Sequence, residues 1–366
     1  MSLARRNLFQ DKTRLALSVS GVALAIMLML LLNGLLSSMY TQIGAYLEHS
    51  PGSLVVAQQG VRNLLGATSL LPSNTTARVR ATPGVARAIP IVSQFIILDL
   101  HGRKQPTYLI GYDPAQGGGP WRLAAGRTPL TDSELVFDRI LAQRHSIALG
   151  DTVPIMGRDF RIVGLSDGTT SWMTSFIFVR KSAAEALLRA PGATSFLLVT
   201  PTRALAPEEL RARLNALPGV EATLKAEMMA NDMTLLARFF SIPLQLMVTI
   251  AFLVGALVVG LVSYTATIER RKEYGVLKAI GAPNRRLYAV VLTQALITAL
   301  AGATIGIALA FAVAQVIMAL RPQFLVSLTP LIVAQSASAT LLMALLAAFF
   351  PARLSARLAP AEAFRR

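Results

Sequence analysis

The 366-residue chain has no cysteine, three histidines, two tryptophans and only 15% charged residues, 19 acidic against 35 basic. The missing cysteine excludes disulfides and thiolate metal sites, and it is compatible with an oxidising exterior. His49, His101 and His145 share no metal-ligand spacing. No G-x-x-x-x-G-K-[ST] occurs, so there is no Walker A loop to cradle nucleotide phosphates, and any use of ATP requires another subunit. The scarcity of charge is the most informative of these absences. With 54% hydrophobic residues and a mean hydropathy of +0.55, the chain is too apolar for a soluble protein of its length and reads as a membrane protein.

Four apolar segments are long enough to span a bilayer: 15–40, 242–268, 287–320 and 331–350. At ~1.5 Å per residue each covers a hydrocarbon core of ~30 Å, and the third must tilt, kink or project beyond it. Arg5, Arg6, Lys12 and Arg14 give the first segment the basic lead of a signal peptide. Its apolar run is about twice the usual signal core and lacks a small-residue cleavage site, so it is expected to stay as an anchor. Ionisable residues, the usual markers of a pathway through a membrane, are absent from the centres of all four.

Lys and Arg in short flanking segments set orientation. Residues 1–14, 269–286 and 351–366 together hold 14 basic and 4 acidic residues, so +10 of the formal +16 lies in these pieces. They are expected in the cytoplasm against an anionic leaflet, which accounts for the high pI without a nucleic-acid partner.

Residues 41–241 are a different material, with 15 of the 19 acidic residues, all three histidines, both tryptophans and 13 of the 19 prolines. Strand-like runs at 53–58, 91–100, 106–112, 160–165, 175–179 and 195–200 are separated by Gly, Pro and Asp turns. Helical patterns occupy 133–146, 182–190 and 206–217, the last with Pro207 in its first turn. Pro-Gly-Val recurs at 83–85 and 218–220, each time between a helix-like and an extended stretch. This is the pattern of two related βαβ-like halves or of a shared helix stop, with 111–179 reading as an insertion between the halves. A helical stretch at about 221–241 reads as a stalk leading into the second span. The expected fold is thus a membrane protein of four transmembrane α-helices, with a mixed α/β extracytoplasmic domain inserted between helices 1 and 2.

Two motifs are decoys. Gly164-Leu165-Ser166-Asp167-Gly168 matches G-x-S-x-G, but the following residues look extended and every histidine lies upstream, so a strand-ending turn is expected rather than a nucleophile elbow. Met39, Tyr40, Tyr46 and His49 could ligate haem iron, and are equally explained as interfacial aromatics and membrane-fitting methionine. In the third span Gly302, Gly306, Ala310 and Ala314 form a small-residue stripe for close helix packing, within the monomer or between two copies.

The segment 269–286 carries more than charge. Tyr274, Leu277 and Ile280 recur every three residues, with Val276 four before Ile280, giving a narrow apolar stripe beside a charged face. Gly275 costs about 1 kcal/mol relative to Ala inside a helix and marks a break after the span. Gly281 suits a left-handed cap before Pro283. A solvated turn explains the charge but not an exposed apolar stripe, so this short helix is read as a docking element.

Residues 269–282, ERRKEYGVLKAIGA, resemble the E-R-x-x-E-[IY]-G-[IV]-L-[KR]-A-[IL]-G-A signature of FtsX-like and MacB-like ABC permeases. Residues 6–25 and 124–165 are similar to that family's entry into its first span and to its external domain, and the order of one span, large domain and three spans is the family's. The resemblance implies a permease, not an enzyme, in a bacterial cytoplasmic (inner) membrane, paired with a second copy of itself. Its other partners would be a separate ABC ATPase dimer that binds the ATP and Mg, membrane lipids and an adaptor protein. It implies that Glu269, Arg270, Arg271, Glu273, Tyr274, Leu277, Lys278, Ile280 and Gly281 form the coupling helix that docks on the ATPase. It also implies export of a lipophilic compound, as in DevC-like glycolipid and HrtB-like haem exporters, or, alternatively, force transmission to a cell-wall hydrolase. Gln294 departs from the glutamate often found there.

Overall fold

The computed structural model describes residues 12–171, 175–269, 273, 276, 279–280 and 283–357. In chain order the elements are α1 (Lys12–His49), β1 (Leu54–Gln58), α2 (Thr75–Arg80), β2 (Val85–Leu100), β3 (Arg103–Tyr112), β4 (Leu123–Gly126), β5 (Glu134–Asp138), α3 (Arg139–Arg144), β6 (Thr152–Ile155), β7 (Arg158–Ser166), β8 (Ser175–Arg180), α4 (Lys181–Leu187), β9 (Phe196–Pro201), α5 (Pro207–Asn215), β10 (Val220–Leu224), α6 (Lys225–Glu269), α7 (Asn284–Leu320) and α8 (Pro330–Arg357). They divide into an α/β unit, Met39–Phe239 with Pro322–Phe324, and a helical unit made of the rest.

The α/β unit is one sheet in the order β10-β1-β9-β2-β3-β8-β5-β7-β4, with β6 paired to β7. Its first four strands are antiparallel neighbours and interleave two β-α-β units, β1-α2-β2 and β9-α5-β10, each holding a strand of the other between its own. This is the split βαβ arrangement, and the two Pro-Gly-Val stretches fall at the same place in its halves, between the helix and the second strand of each. Gly84 and Gly219 lie in the turns between these helices and the strands that follow, at positive φ, 103° and 80°, where a side chain would be strained. Arg78 of α2 donates to the Pro218 carbonyl and Arg213 of α5 donates to the Pro83 carbonyl, so each half grips the corresponding turn of the other. Leu54 and Val56 of β1 pack with Val79, Leu210 and Leu214 of these helices in one core.

The insertion is larger than the expected 111–179. β2 leaves β9 after Ile91 and its second half, from Val92, pairs with β3, so the extra strands begin there. They close over a second core that includes Leu109, Leu135, Phe137, Phe160, Ile162 and Ile177, all buried. The expected helix at 133–146 is in fact strand β5 followed by the short helix α3. β5 lies between β7 and β8, which buries Leu135, Val136 and Phe137 completely, and a fully buried strand loses the alternation that distinguishes it from a helix. Asp138 makes the switch by accepting a hydrogen bond from the Leu141 amide (2.8 Å) as N-cap of α3.

A second correction concerns the stalk. Residues Glu221 to Leu224 are the strand β10, paired in register with β1 from Leu54 to Ala57, and the helix starts only at Lys225. The sheet offers these residues a complete ladder that an isolated helical turn cannot match. α1 also runs past the expected boundary at Tyr40 as far as His49. Its residues from Met39 belong to the α/β unit, where Tyr46 stacks on Phe176 (5.4 Å between centroids) and donates to the Gly118 carbonyl at 2.7 Å.

Among the described residues, four stretches are long and apolar enough to cross a membrane: Leu15–His49, Phe239–Glu269, Asn284–Leu320 and Pro330–Arg353. Pro243 lies inside α6 and Pro351 inside α8 without ending either helix. The packing relies on small residues. A Cβ placed on Gly21 would lie 2.5 Å from Val258 Cγ1, and one on Gly255 would lie 2.8 Å from Ala25 Cβ, so α1 and α6 touch almost backbone to side chain.

Candidate functional site

The segment joining α6 to α7 is the first place to look. α6 ends at Glu269; Glu273, Val276 and Ala279 are helical, and the Ile280 amide donates to the Val276 carbonyl at 3.1 Å, closing a helical turn. α7 starts at Asn284, with Pro283 in extended geometry at its N-cap. Every described residue from Glu273 to Arg286 is exposed, whereas Leu287 is buried. Val276 is 45% and Ile280 75% exposed, on one side of the same turn, while Arg285 and Arg286 add positive charge nearby. This is an apolar ridge with a basic border and no cover among the described residues. Of the proposed coupling set, Glu269, Glu273 and Ile280 are placed; Arg270, Arg271, Tyr274, Leu277, Lys278 and Gly281 lie outside the described residues.

The small-residue stripe of α7 faces α1 of the same chain. Gly302, Gly306, Ala310 and Ala314 are all buried. A Cβ on Gly302 would meet Val22 Cβ at 2.6 Å, and one on Gly306 would meet Ile26 Cγ2 at 2.0 Å and the Ala23 carbonyl oxygen at 2.6 Å. Packing inside the monomer therefore accounts for both glycines. Gln294, four residues from Thr298 on the same helix, is half-buried.

Neither decoy forms a reactive centre. Ser166 is fully buried at the end of β7, with its hydroxyl 3.3 Å from the Phe137 carbonyl, to which it donates, and 2.6 Å from the Thr169 hydroxyl. Thr169 and Thr170 both donate to Asp138, so the Gly164–Gly168 motif is the turn that ties β7 to the cap of α3. Burial pushes the Asp138 carboxyl up, and the threonine hydroxyls and helix amides oppose it. Met39 and Tyr46 are buried in packing, and His49 lies flat on Trp121 (4.9 Å, 11°) with Nδ1 2.8 Å from the Ala45 carbonyl. Among the described residues no group of three His, Cys, Asp or Glu could hold a metal.

One buried polar clip escaped the sequence pattern. Asp232, on the part of α6 that belongs to the α/β unit, is 1% exposed and accepts hydrogen bonds from the Leu65 amide (2.9 Å) and the Leu64 amide (3.3 Å). Asn231 donates to the Arg62 carbonyl at 3.0 Å, and Leu235 closes against Gly66. The loop after β1 is thereby clipped to the helix that continues as the second span. Burial pushes the Asp232 carboxyl up to about 7, against the pull of the two amides and the Asn63 side chain. An acidic residue on a helix is ordinarily solvated, so nothing in the spacing singled it out.

The comparisons with known proteins cover both units. Residues 15–217 match the family described as MacB-like periplasmic core domain, and residues 246–360 match FtsX-like permease C-terminal. An ABC transporter permease of Mycobacterium tuberculosis strain H37Rv is 27% identical over 312 residues, 84% of each chain. An ABC transporter permease of Methanocaldococcus jannaschii is 26% identical over 242 residues, 63% of this chain and 59% of that one. The macrolide export ATP-binding/permease protein MacB of Chromobacterium violaceum is 32% identical over 130 residues, 36% of this chain and 20% of that one.

Proposed function

Because the chain belongs to the ABC transporter permeases with a MacB-like periplasmic core domain and an FtsX-like C-terminal region, we propose that it couples ATP hydrolysis by a separate ATPase dimer to export or extraction of a lipophilic or amphiphilic molecule. Two copies of the chain form the permease in the bacterial inner membrane, with both termini cytoplasmic and the α/β domain on the other side. ATP and Mg belong to the ATPase, and an adaptor protein completes the route where one is present. Closure of the ATPase pushes on the turn between α6 and α7, and the continuous helix α6 carries the movement to the α/β domain.

The observation that carries this reading is the uncovered apolar ridge of Val276 and Ile280 in a basic segment between two spans. A bilayer does not cover it, because charged residues flank it on both sides, and an exposed ridge of this kind on a membrane protein is a docking surface for a soluble partner. The lipophilic cargo is supported by the name of the MacB relative, a macrolide exporter, and by spans without central ionisable groups.

The test is ATP hydrolysis by the purified complex in lipid nanodiscs, titrated with glycolipid, haem and a macrolide. Stimulation by one class identifies the cargo chemistry. A flat response to every class overturns export and leaves a transmitter acting on an outside enzyme.

A further inference from the structure

The α/β unit carries a pocket of about 410 Å³ between the loop that follows β1, from Leu64 to Thr68, and Ser93, Gln94, Phe95 and Tyr108 of β2 and β3. This lies within the ~300–1,000 Å³ usual for ligand sites. The loop wall is fixed at several points: Asp232 accepts from the Leu64 and Leu65 amides, the Gly66 amide donates to the Tyr108 hydroxyl at 3.1 Å, and the Ser69 hydroxyl donates to the Ser195 carbonyl at 2.6 Å. The pocket is therefore preformed.

Strand alternation decides what faces it. Val92, Ile96 and Leu98 of β2 pack in the second core, so Ser93, Phe95 and Ile97 point the other way. Phe95 is 47% exposed and meets Tyr108, its cross-strand partner, edge on at 5.3 Å between ring centroids, while Tyr108 lies 5.8 Å from Phe176. The two rings make an aromatic corner on the pocket wall.

Ser93 is the second observation. It is only 6% exposed, and the Ser195 hydroxyl accepts from its amide (3.1 Å) and donates to its carbonyl (3.3 Å). Its own hydroxyl makes no hydrogen bond among the described residues, yet it is not sealed off as the Ser53 and Ser336 hydroxyls are, so the surface it keeps belongs to the pocket. Buried polar groups are rarely left without a partner, and a hydroxyl can both donate and accept. The Tyr108 hydroxyl, which accepts from Gly66, also has its proton to give.

These groups select the chemistry of an occupant. No Lys, Arg, His, Asp or Glu lines the pocket, so a phosphate, carboxylate or ammonium group would lose its water there without a counter-charge. An alkyl chain would leave the Ser93, Tyr108 and Gln94 groups unmatched. A sugar ring meets both demands, because its C–H face lies well on the negative face of an aromatic ring and its rim carries neutral hydroxyls that donate and accept.

We propose that this pocket binds the uncharged sugar ring of a saccharide or of a glycolipid headgroup, stacked on Phe95 with its hydroxyls bonded to Ser93 and Tyr108. The site stands on its own geometry and is independent of the export reading.

The test uses the full chain with its ATPase in lipid nanodiscs and three photoreactive probes: a galactosyl diacylglycerol with a diazirine on its sugar, the free methyl galactoside with the same diazirine, and a sugarless diacylglycerol with a diazirine on its glycerol. Mass spectrometry should place the sugar-borne label on residues 64–68, 93–95 and 108, and the sugarless probe should not label them. Stronger labelling by the galactosyl lipid than by the free galactoside assigns the site to a lipid headgroup; equal labelling assigns it to a free saccharide, and either supports the site. Ser93→Ala removes a hydroxyl that bonds nothing in the fold and should lower the label about threefold to tenfold, the scale of one hydrogen bond. Phe95→Leu should lower it by a similar factor and Phe95→Trp should retain it, while Ile97→Ala, exposed on the same strand but outside the pocket, should leave it unchanged. Absence of label from both sugar probes, equal labelling by the sugarless probe, or a loss with Ile97→Ala as large as with Phe95→Leu overturns the site.

Discussion

Replacing Gly306 by alanine adds one methyl group to a seam that has no room for it. The new Cβ would lie 2.0 Å from Ile26 Cγ2, 2.6 Å from the Ala23 carbonyl oxygen and 3.1 Å from Ala23 Cα. Ile26 is fully buried, so its rotamer has little freedom, and the Ala23 oxygen is backbone and cannot turn away. α1 and α7 must move apart, and the contact of Gly302 with Val22 one turn away loosens with them. Overpacking of this kind costs about 1–3 kcal/mol, and a rigid backbone contact belongs at the upper end. Alanine recovers about 1 kcal/mol of helix propensity, leaving a net loss of roughly 1–2 kcal/mol. The same change at Gly260 meets nothing closer than the Ala347 carbonyl oxygen at 3.6 Å, an ordinary contact, so it should be neutral or stabilising by up to ~1 kcal/mol. The two variants should differ by about 2 kcal/mol, more than a decade in the folded-to-unfolded ratio. The assay is denaturant unfolding in detergent micelles, with Gly306→Ala/Ile26→Ala recovering only part of the loss because the Ala23 oxygen remains. Equal midpoints for Gly306→Ala and Gly260→Ala would refute the packing reasoning.

Asp232 predicts a pH dependence of the α/β unit. Its carboxyl titrates near 7 when folded and at 3.8 in its ordinary state, so between about pH 4 and 7 the folded chain holds a proton that the unfolded chain has released, and stability should fall as pH rises through that window and level off above it. Asp232→Asn should remove this slope, as read by thermal unfolding at a series of pH values, and an unchanged slope would show that another group is responsible. A flexible Gly-Gly-Ser insertion between Phe239 and Phe240 interrupts α6 where it passes from one unit to the other; it should leave ATPase binding and hydrolysis intact and abolish export, whereas retained export would mean that force does not travel through α6.

The spans and the strands were legible in the sequence for different reasons. Apolar length alone identifies a span, and the runs at 53–58, 106–112 and 160–165 carry enough β-branched and aromatic residues between turn signals to read as β1, β3 and β7. The failures lie where tertiary pairing overrides local pattern. Leu135 to Phe137 look helical until β7 and β8 cover both edges, and Ala222 and Thr223 belong to a plausible helix until β1 claims them. The Pro-Gly-Val recurrence does fall at the same place in the two halves, but the interleaving of their strands depends on pairs far apart in the chain. For the same reason Thr68, Ser93 and Tyr108 are invisible as a group, since a loop and two strands bring them together. The docking segment is the opposite case. Its apolar spacing and charge are local, so the sequence shows them directly, and the fold adds that Val276 and Ile280 are left uncovered.

That ridge also offers the most direct measurement of the central claim, that the turn between α6 and α7 seats the ATPase. Ile280→Asp places a carboxylate where an exposed isoleucine would be buried, forfeiting roughly 1.5–3 kcal/mol of apolar burial and adding a desolvation cost. Affinity for the ATPase that accompanies the wild-type chain should therefore fall at least tenfold, at about 1.4 kcal/mol per decade, with insertion confirmed as normal by protease protection. Arg286→Ala, an exposed charge at the border, should weaken binding less and chiefly at low salt. If the normally inserted Ile280→Asp chain binds the ATPase with wild-type affinity, the ridge is not the seat of the ATPase.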